Sequence, residues 1–428
     1  MSRLSPHPLL ALRKSRDAGR PVGLVSVCSA HPLVLEAALT EARDSGSVAL
    51  IEATCNQVNQ DGGYTGMRPD DFSARVRALA DLIGLPRDRI VLGGDHLGPN
   101  PWTRLPAATA MARAGVMVAA YVAAGFEKIH LDCSMRCADD PAQLTDALIA
   151  ERAGQLCAIA EQAAARLGTT PYYVVGTEVP PPGGAIEVET SLAITTPEAV
   201  RDTIGLHQDA FSRHGVATAT ARIIGVVVQP GVEFGSTSVH FYDRAAAVAL
   251  PPVLDEFPGL LFEAHSTDYQ RPGGLADLVS DGFGILKVGP WLTFAMREAL
   301  YGLDAIRQAA TPNSPMLSTT MERLMLARPA YWQRHYAGSE AQLRLARHYS
   351  YSDRIRYYWD EVDAQRAVTD LLSADYAIDE TMISQYCGHI YDDVRASRTS
   401  SDPRSLVLAS IGKVLSAYRL AVTGTLPL

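Results

Sequence analysis

The sequence predicts an α/β protein, a (β/α)8 (TIM) barrel followed by a C-terminal helical extension. Eight short and nearly continuous apolar runs recur before residue 310: PVGLVSVCSA, SVALIEAT, RIVLGGDHLG, KIHLDCS, PYYVVGTEVP, ARIIGVVVQP, GLLFEAHS and GILKVGP. Such runs are typical of parallel strands that are covered on both faces. Eight evenly repeated units favour a closed barrel over an open sheet, and no GxGxxG motif follows the first run.

Helical patterns separate these runs and then continue alone to the end of the chain. The clearest are HPLVLEAALTEARDSG, RPDDFSARVRALADLIGL, ATAMARAGVMVAAYVAAGF, ERAGQLCAIAEQAAARLG and PEAVRDTIGLHQDAFSRHG. We assign residues 1–309 to the barrel. Residues 310–428 combine helical spacing with two aromatic clusters, YWQRHY and YSYSDRIRYYW, and predict a helical extension packed on the barrel or on a partner subunit.

Composition excludes several classes of protein. The chain has 428 residues, 47% of them hydrophobic, and can bury a large core. A net charge of −9 without long runs of one sign argues against nucleic acid or an anionic membrane as a partner. The longest apolar stretch, VMVAAYVAAGF, is shorter than the roughly 20 residues that span a bilayer, and no signal peptide is evident. We expect a cytoplasmic protein whose six scattered cysteines are reduced.

Polar side chains end the apolar runs, where a barrel builds its active site. In chain order they are Glu52 with Asn56 and Gln57, Asp95 and His96, then His130, Asp132 and Ser134 at alternate positions, Thr177 and Glu178, Gln229, Glu263 and His265 with Asp268, and Lys287. A purely structural core would not tolerate so many polar groups unpaired. The pattern therefore predicts a polar cavity at the barrel mouth.

Two imidazoles with carboxylate or amide oxygens describe a site for zinc or a similar divalent metal. A carboxylate beside a ligand suits a general base, which favours carbon–carbon bond chemistry or proton transfer next to a ketone. Other interpretations stay open: Asp95 can cap the next segment, His130 lies deeper in its run and suits a structural role, and Lys287 suits a counter-ion of buried carboxylates better than a Schiff base. No phosphoryl-transfer motif appears, so a kinase is disfavoured.

Nine segments together resemble a known family over essentially the whole chain. They are VCSAHPLV, IEATCNQVNQDGGYTGM, GGDHLGPNPW, KIHLDCSM, GTEVPPPGG, VVVQPGVEFG, FEAHSTDYQ, LKVGPWLTFAMREAL and SDRIRYYW. The family is that of tagatose-bisphosphate aldolase non-catalytic subunits, which has also carried the label tagatose 6-phosphate kinase. The resemblance implies a barrel related to class II aldolases and a place in galactitol or tagatose catabolism.

The resemblance also implies roles for particular residues. In class II aldolases an Asp-His pair after the third strand supplies a base and a zinc ligand, and a histidine ending the seventh strand supplies another ligand. Asp95, His96 and His265 match these positions. The third histidine usual in that class is missing from VVVQPG, so Gln229 or Glu178 would replace it. The usual glycine-rich phosphate loop is also missing. Arg68, Arg136, Arg354 and Arg356 are candidates for phosphate binding, and a position on the surface or at an interface is the favoured alternative for each of them.

Some members of the family act as tagatose 6-phosphate 4-epimerases, and the chemistry favours this activity. The C4 proton of a 2-ketose is not acidic, whereas retro-aldol cleavage of C3–C4, rotation of the aldehyde and re-addition inverts C4 without oxidation. Asp95 would take the C4 hydroxyl proton, with Asp132 or Glu178 on the opposite face. Substrate contacts are expected from Glu52, Asn56, Gln57, Ser134, Glu263, Asp268 and Lys287.

The alternative function is a non-catalytic subunit that stabilises a class II tagatose-1,6-bisphosphate aldolase. The motifs do not separate the two functions, because support subunits share them. The expected partners are accordingly a ketohexose or its phosphate, an aldolase subunit, or a second copy of the chain.

Overall fold

In the computed structural model, which describes residues 7–179, 192–373 and 375–422, eight parallel strands close into a barrel. The barrel strands are β1 (Leu24–Val27), β2 (Ala49–Thr54), β3 (Ile90–Leu97), β4 (Lys128–Leu131), β5 (Tyr172–Val175), β6 (Ile223–Val227), β9 (Leu261–Ala264) and β10 (Phe283–Val288). A separate antiparallel hairpin consists of β7 (Glu233–Phe234) and β8 (Val239–His240). Around the barrel the order is β1-β10-β9-β6-β5-β4-β3-β2, which confirms the predicted fold.

Helices surround the strands. Those of the barrel region are α1 (Pro8–Asp17), α2 (Pro32–Ser45), α3 (Pro69–Ile83), α4 (Ala107–Ala123), α5 (Asp146–Leu167), α6 (Pro197–Arg213), α7 (Pro272–Ser280) and α8 (Pro290–Ala310). Proline opens six of these helices, where its missing N–H costs no hydrogen bond. Leu9 and Leu12 of α1 pack against Leu24 and Leu50, so α1 covers the end of the barrel where the strands begin.

The connection from β6 to β9 departs from the predicted strand–helix repeat. Residues 228–260 contain the β7–β8 hairpin and a 3₁₀ helix, Pro251–Glu256, in place of an α-helix. Pro251 and Pro252 stand at the start of that segment, and proline cannot donate the backbone hydrogen bond that an α-helix needs beyond its first turn. The closed barrel tolerates the change because the strands, not this connection, carry its hydrogen-bonded ladder.

Helices of the C-terminal part lie against the barrel. They are α9 (Leu317–Ala327), α10 (Glu340–Tyr349), α11 (Val362–Ser373), α12 (Glu380–Tyr386), α13 (Tyr391–Arg395) and α14 (Pro403–Ala421). The last of them, α14, packs against α2, α7 and α8. A boundary at residues 309/310 stays a prediction. Among the described residues, no helix is long and apolar enough to cross a membrane.

Candidate active site

The end of β3 presents two neighbouring side chains, Asp95 and His96, to the barrel mouth. Adjacent residues of a regular strand point to opposite faces, but the register with β4 shifts between Gly94 and Leu97. His96 has a φ of 50°, a left-handed conformation that a non-glycine residue rarely adopts. Such strain persists only where the surrounding structure holds it, and it is concentrated at functional sites.

Glycine makes room for neighbouring functional side chains along the same strand. A Cβ on Gly93 would lie 2.5 Å from Cγ of Glu52, and a Cβ on Gly98 would overlap the carbonyl oxygen of Asp132. Any larger residue at these positions would displace a neighbouring acidic residue. Gly93 and Gly98 of GGDHLG are therefore explained by close packing around the site.

Three imidazoles meet at the mouth, from His96 on β3, His130 on β4 and His265 after β9. Their ring centres lie 5.2 Å (His96–His130), 5.0 Å (His96–His265) and 5.2 Å (His130–His265) apart. Imidazoles that share a tetrahedral metal at about 2.0–2.1 Å have ring centres about 5 Å apart. The three side chains are at most 5% exposed, so the cluster is withdrawn from bulk water.

Each ring has a carboxylate partner at one nitrogen. Nδ1 of His96 lies 2.7 Å from Oδ2 of Asp132, and Nδ1 of His130 lies 2.9 Å from Oδ1 of Asp95. Nε2 of His265 lies 3.0 Å from Oε1 of Glu263. This pattern is usual for metal-binding histidines, since the carboxylate fixes the tautomer and leaves the other nitrogen for the metal.

One buried nitrogen in the cluster has no partner in the described part of the protein. It is Nε2 of His130, whose Nδ1 is engaged by Asp95. Ligand atoms of His130, His265, Asp95 and Glu263 all lie within 4.8 Å of one another. A buried polar atom without a partner is costly, and a cation would satisfy it. His130 and His265, together with the neighbouring imidazole of His96 or with the two carboxylates, could therefore hold a divalent metal.

Protonation states suit such a site. Burial lowers the pKa of His265 to about 3, so this imidazole is neutral at pH 7, as a metal ligand must be. Burial alone would raise the pKa of Asp95, but the adjacent His96 and the Lys287 ammonium outweigh it and hold that pKa well below the usual range. Asp95 is consequently ionised at neutral pH and able to accept a proton.

Below the imidazoles, the barrel interior contains a closed network of charges. Lys128 Nζ lies 2.6 Å from Oε1 of Glu52 and 2.7 Å from Oε2 of Glu263, and all three side chains are fully buried. Lys287 pairs with Asp95 and lies 3.2 Å from Oε2 of Glu52. Burial opposes the charge on Lys287, yet Asp95 and its neighbours raise the pKa well above the usual value. Both lysines are thus held as cations by carboxylates.

Above the imidazoles lies a cavity of about 80 Å³ that is open to solvent. Its lining joins Asp95, His96, His265 and Lys287 to polar residues of the loops that follow β2 and β9, and the set includes Asn56, Gln57, Tyr64, Ser266 and Asp268. Arg356 and Tyr357, from the C-terminal part of the chain, complete it. The cavity therefore combines the acid–imidazole cluster with a cation that lies outside the barrel sequence.

Asp268, in the loop that follows β9, lines this cavity and contacts the start of α8. Its Oδ1 accepts hydrogen bonds from the N–H groups of Trp291 and Gly289 at 2.8 and 3.0 Å. Burial nevertheless raises the pKa of Asp268 to about 6. The side chain therefore changes charge close to neutral pH.

The structure brings most of the predicted residues together, but two of them lie elsewhere. Glu178 is exposed and accepts a hydrogen bond from Thr195 at 2.8 Å. Gln229 uses Oε1 to accept the N–H groups of Gly231 and Val232 at 2.8 and 3.0 Å, which stabilises a turn. Neither lies in the group of His130, His265, Asp95 and Glu263 that could hold a metal, and the third imidazole beside His96 and His265 is that of His130. The predicted third ligand, Gln229 or Glu178, therefore lies outside this group of residues.

The remaining predicted residues stand behind the cavity or outside it. Asp132 holds His96 and in turn accepts the Ser134 hydroxyl at 2.6 Å, so both act behind the imidazole rather than on the cavity surface. Of the candidate arginines, Arg68 and Arg136 are exposed, and Arg354 is buried with its Nε donating to the Tyr331 carbonyl. Only Arg356 of that set lines the cavity.

Sequence reasoning missed His130 and Lys128. His130 was assigned a structural role because it precedes the end of its strand, and Lys128 begins the same strand. A signal was present, since His130 and Asp132 occupy alternate positions and alternate residues share a strand face. Lys128 offered no comparable signal, because its partners Glu52 and Glu263 are distant in sequence.

Comparisons with known proteins agree with this fold and show the family of the chain. Residues 9–423 match the family described as D-tagatose-1,6-bisphosphate aldolase subunit GatZ/KbaZ-like. A protein of Agrobacterium fabrum (strain C58) named D-tagatose 6-phosphate 4-epimerase is 53% identical over 415 residues, covering 96% of this chain and 97% of the relative. The crystal structure of a Sinorhizobium meliloti 1021 protein, described as a probable tagatose 6 phosphate kinase, is 50% identical with a TM-score of 0.86, covering 93% of this chain and all of that one. With nearly its whole length matched, the chain belongs to the D-tagatose-1,6-bisphosphate aldolase subunit GatZ/KbaZ-like family.

Proposed function

We propose that this protein is a metal-dependent 4-epimerase of D-tagatose 6-phosphate, acting by retro-aldol cleavage and re-addition. The observation that carries the proposal is the cluster of three imidazoles beside ionised Asp95 at the barrel mouth. The Agrobacterium relative of that name, at 53% identity over nearly the whole chain, supports the substrate and the reaction. The reaction class is that of an isomerase.

His96, His130 and His265 would hold the metal, and zinc is the ion that three imidazoles with one open position suit best. The orphaned Nε2 of His130 and the carboxylate partner of each ring support this assignment. When bound, the metal would polarise the ketose carbonyl and stabilise the negative charge that develops as C3–C4 breaks.

Asp95 would act as the general base. Its carboxylate accepts the proton of the C4 hydroxyl, the C3–C4 electron pair moves onto the C1–C3 fragment, and C4 becomes an aldehyde. The aldehyde group then rotates about the C4–C5 bond and presents the opposite face of its carbonyl to C3. The electron pair on C3 re-forms the C3–C4 bond at that face, and Asp95 gives the proton back to the C4 oxygen. Lys287, paired with Asp95, keeps the base oriented and ionised before the reaction.

We do not assign Asp132 or Glu178 as a second base on the opposite face of the substrate. Asp132 accepts from His96 at 2.7 Å and from Ser134, which fits a positioning residue that fixes the imidazole tautomer. Glu178 is exposed and does not line the cavity among the described residues. Asn56, Gln57 and Asp268, which do line it, would contact the sugar hydroxyls.

The test is turnover by the purified protein. Metal-loaded protein should interconvert D-tagatose 6-phosphate and D-fructose 6-phosphate without nicotinamide, with activity lost on chelation and restored by zinc. His96→Ala should remove this activity. If metal-loaded protein turns over neither ketohexose phosphates nor free ketohexoses, the proposed function is wrong.

A second function, support of a class II tagatose-1,6-bisphosphate aldolase, is favoured by the family description, which names an aldolase subunit. It predicts that the protein co-purifies with an aldolase and prolongs the activity of that enzyme on mixing. An inactive mixture whose components elute separately would contradict it. Kinase activity is not proposed, because the sequence contains no phosphoryl-transfer motif.

A further inference from the structure

The cavity is lined by two permanently cationic side chains, Lys287 and Arg356, which differ in their partners. Lys287 is already neutralised by carboxylates, Asp95 and Glu52 among them. No carboxylate of the described residues forms an ion pair with Arg356. Asp353 and Asp268 interact with Arg356 electrostatically at longer range. Among the described residues, Arg356 is nevertheless the cavity cation that no carboxylate contacts directly, so an entering anion can reach it.

Arg356 is held so that part of its guanidinium stays available. Nη2 donates to the Tyr357 hydroxyl at 2.9 Å, Nη1 donates to the carbonyls of Ser352 and Asp353, and the guanidinium lies 4.4 Å from the centre of the Tyr357 ring. These contacts fix the side chain without neutralising it. A planar, oriented guanidinium is the group that best recognises phosphate.

The segment that carries Arg356 is attached to the barrel on several sides. Asp353 accepts from Thr293 at 2.7 Å and from Arg297 at 3.2 Å, both on α8. Asp353 itself has a φ of 43°, which turns the chain into the 3₁₀ helix Arg354–Tyr358. The Tyr357 ring lies 4.7 Å from that of Tyr64 in the loop after β2.

Two further contacts join the segment to other loops of the mouth. The Tyr351 N–H donates to the Ser236 carbonyl at 2.9 Å, and the Tyr269 hydroxyl donates to the Tyr351 carbonyl at 2.6 Å. The segment therefore bridges loops that follow β2, β7 and β9 as well as α8. Arg356 is thereby placed on a rigid wall of the cavity rather than on a free surface.

Resting on the proposed function, we infer that Arg356 binds the 6-phosphate of the substrate and that residues 351–357 of the C-terminal part complete the active site. The reacting C4 and the phosphate-bearing C6 are two carbons apart, so one cavity must contain both the acid–imidazole cluster and an anion site. This assignment supplies the phosphate contact in place of the missing glycine-rich loop. It makes the protein selective for phosphorylated over free ketohexoses.

Asp268 faces the same cavity and would repel an anion when ionised. Its Oδ1 is committed to the N–H groups of Gly289 and Trp291, which draws its charge toward the start of α8. Asp95 is likewise committed to Lys287 and His130. These pairings leave Arg356 as the dominant attraction for a phosphate among the described lining residues.

Calorimetric binding to the full-length, metal-loaded protein tests the inference without requiring turnover. Arg356→Gln should weaken binding of D-fructose 6-phosphate and of inorganic phosphate by about 10- to 100-fold, the usual range for a charge-assisted hydrogen bond. Arg356→Lys should restore part of the affinity. Arg68→Gln, which removes an exposed arginine outside the cavity, is the matched control and should bind as the parent does.

Equal affinities of the parent and Arg356→Gln, or a parent that binds neither probe, would overturn the inference. A loss of affinity for free D-fructose as large as that for its 6-phosphate would also overturn it, since the arginine would then act on the sugar or on folding. A parent that binds sugar phosphates through Arg356 but does not epimerise them would refute the proposed function and leave the phosphate site standing.

Discussion

The barrel interior and the segment above its mouth differ in whether a cationic side chain has a direct carboxylate partner. Inside, Lys128 is enclosed by Glu52 and Glu263 at 2.6 and 2.7 Å, and all three are inaccessible to solvent. At the mouth, Arg356 is oriented by a phenol and by backbone carbonyls, and no described carboxylate pairs with it. A buried charge must be neutralised by the protein, whereas a charge on a cavity wall can be left for a ligand.

The difference separates structural charges from functional ones. The interior network balances itself and supports the imidazole cluster from below, because Glu263 contacts both Lys128 and His265. At the mouth, Arg356 lines the cavity without a direct carboxylate contact among the described residues, in a position that solvent and substrate can reach. Loss of an interior charge should therefore affect folding, and loss of the mouth charge should affect binding.

The largest effect is expected from Lys128→Met. Removing the ammonium leaves the Glu52 and Glu263 carboxylates without this partner in the barrel interior, which should lower the free energy of unfolding by about 3–5 kcal/mol. Urea denaturation measures it. Lys413→Met, which breaks the more exposed pair with Asp393, is the control and should cost no more than about 1 kcal/mol. Equal losses in the two variants would contradict the contrast.

His130→Ala tests whether the interior network supports a metal site. Losing one of three imidazoles should reduce bound metal and lower epimerase activity at least about 100-fold, because a catalytic metal contributes several kcal/mol to transition-state stabilisation. Metal analysis and steady-state kinetics measure the two effects. His207→Ala is the control, since His207 is equally buried but lies on α6 and bonds to the Thr203 carbonyl. Full metal content in His130→Ala would exclude this ligand.

Asp268→Asn tests a cavity carboxylate whose ionisation is opposed by burial more strongly than it is favoured by its hydrogen bonds and by Arg356. Because the folded pKa of Asp268 is about 6 and an unfolded Asp has a pKa of about 3.9, the folded state binds extra protons between these values. The parent should thus lose stability as pH rises from about 4 to about 6. The variant keeps an oxygen for the N–H groups of α8 and should be about 2–3 kcal/mol more stable than the parent at pH 8, with no gain at pH 4.

The control for that pH profile is Asp402→Asn at the start of α14. Burial opposes ionisation of Asp402, but its hydrogen bonds with Ser405 lower the pKa overall. Asp402 therefore stabilises the fold above the unfolded pKa and loses this effect as pH falls. Urea denaturation across pH should show opposite signs for the two variants, and identical profiles would refute the assigned charge states.

The smallest effect on stability is expected from Arg356→Gln. The substitution removes hydrogen bonds to Tyr357 and to backbone carbonyls but leaves no buried carboxylate unpaired, so the free energy of unfolding should change by about 1 kcal/mol or less. Urea denaturation of Arg356→Gln and Lys128→Met under the same conditions compares their free energies of unfolding directly. A loss of unfolding free energy as large as that of Lys128→Met would show that Arg356 stabilises the fold, as the interior charges do.

Much of the site was predictable because polar residues stood at the ends of apolar runs. The alternation of strands and helices predicted the barrel, and the barrel places Asp95, His96, His265 and Lys287 at one mouth. The prediction was less successful where local sequence had two explanations. Gln229 before Pro230 and Gly231 could serve a metal or a turn, and its side chain stabilises the turn.

The sequence by itself determined the closed barrel, the family and the polar mouth, because hydrophobic periodicity and strand-end residues are local properties of the chain. Tertiary structure alone decided that His130 supplies the third imidazole, that Lys128 neutralises Glu52 and Glu263, and that Arg356 reaches the cavity. These pairings join residues far apart in sequence. Barrel closure and the packing of the C-terminal segment bring them within a few ångströms, and no spacing rule along the chain records that distance.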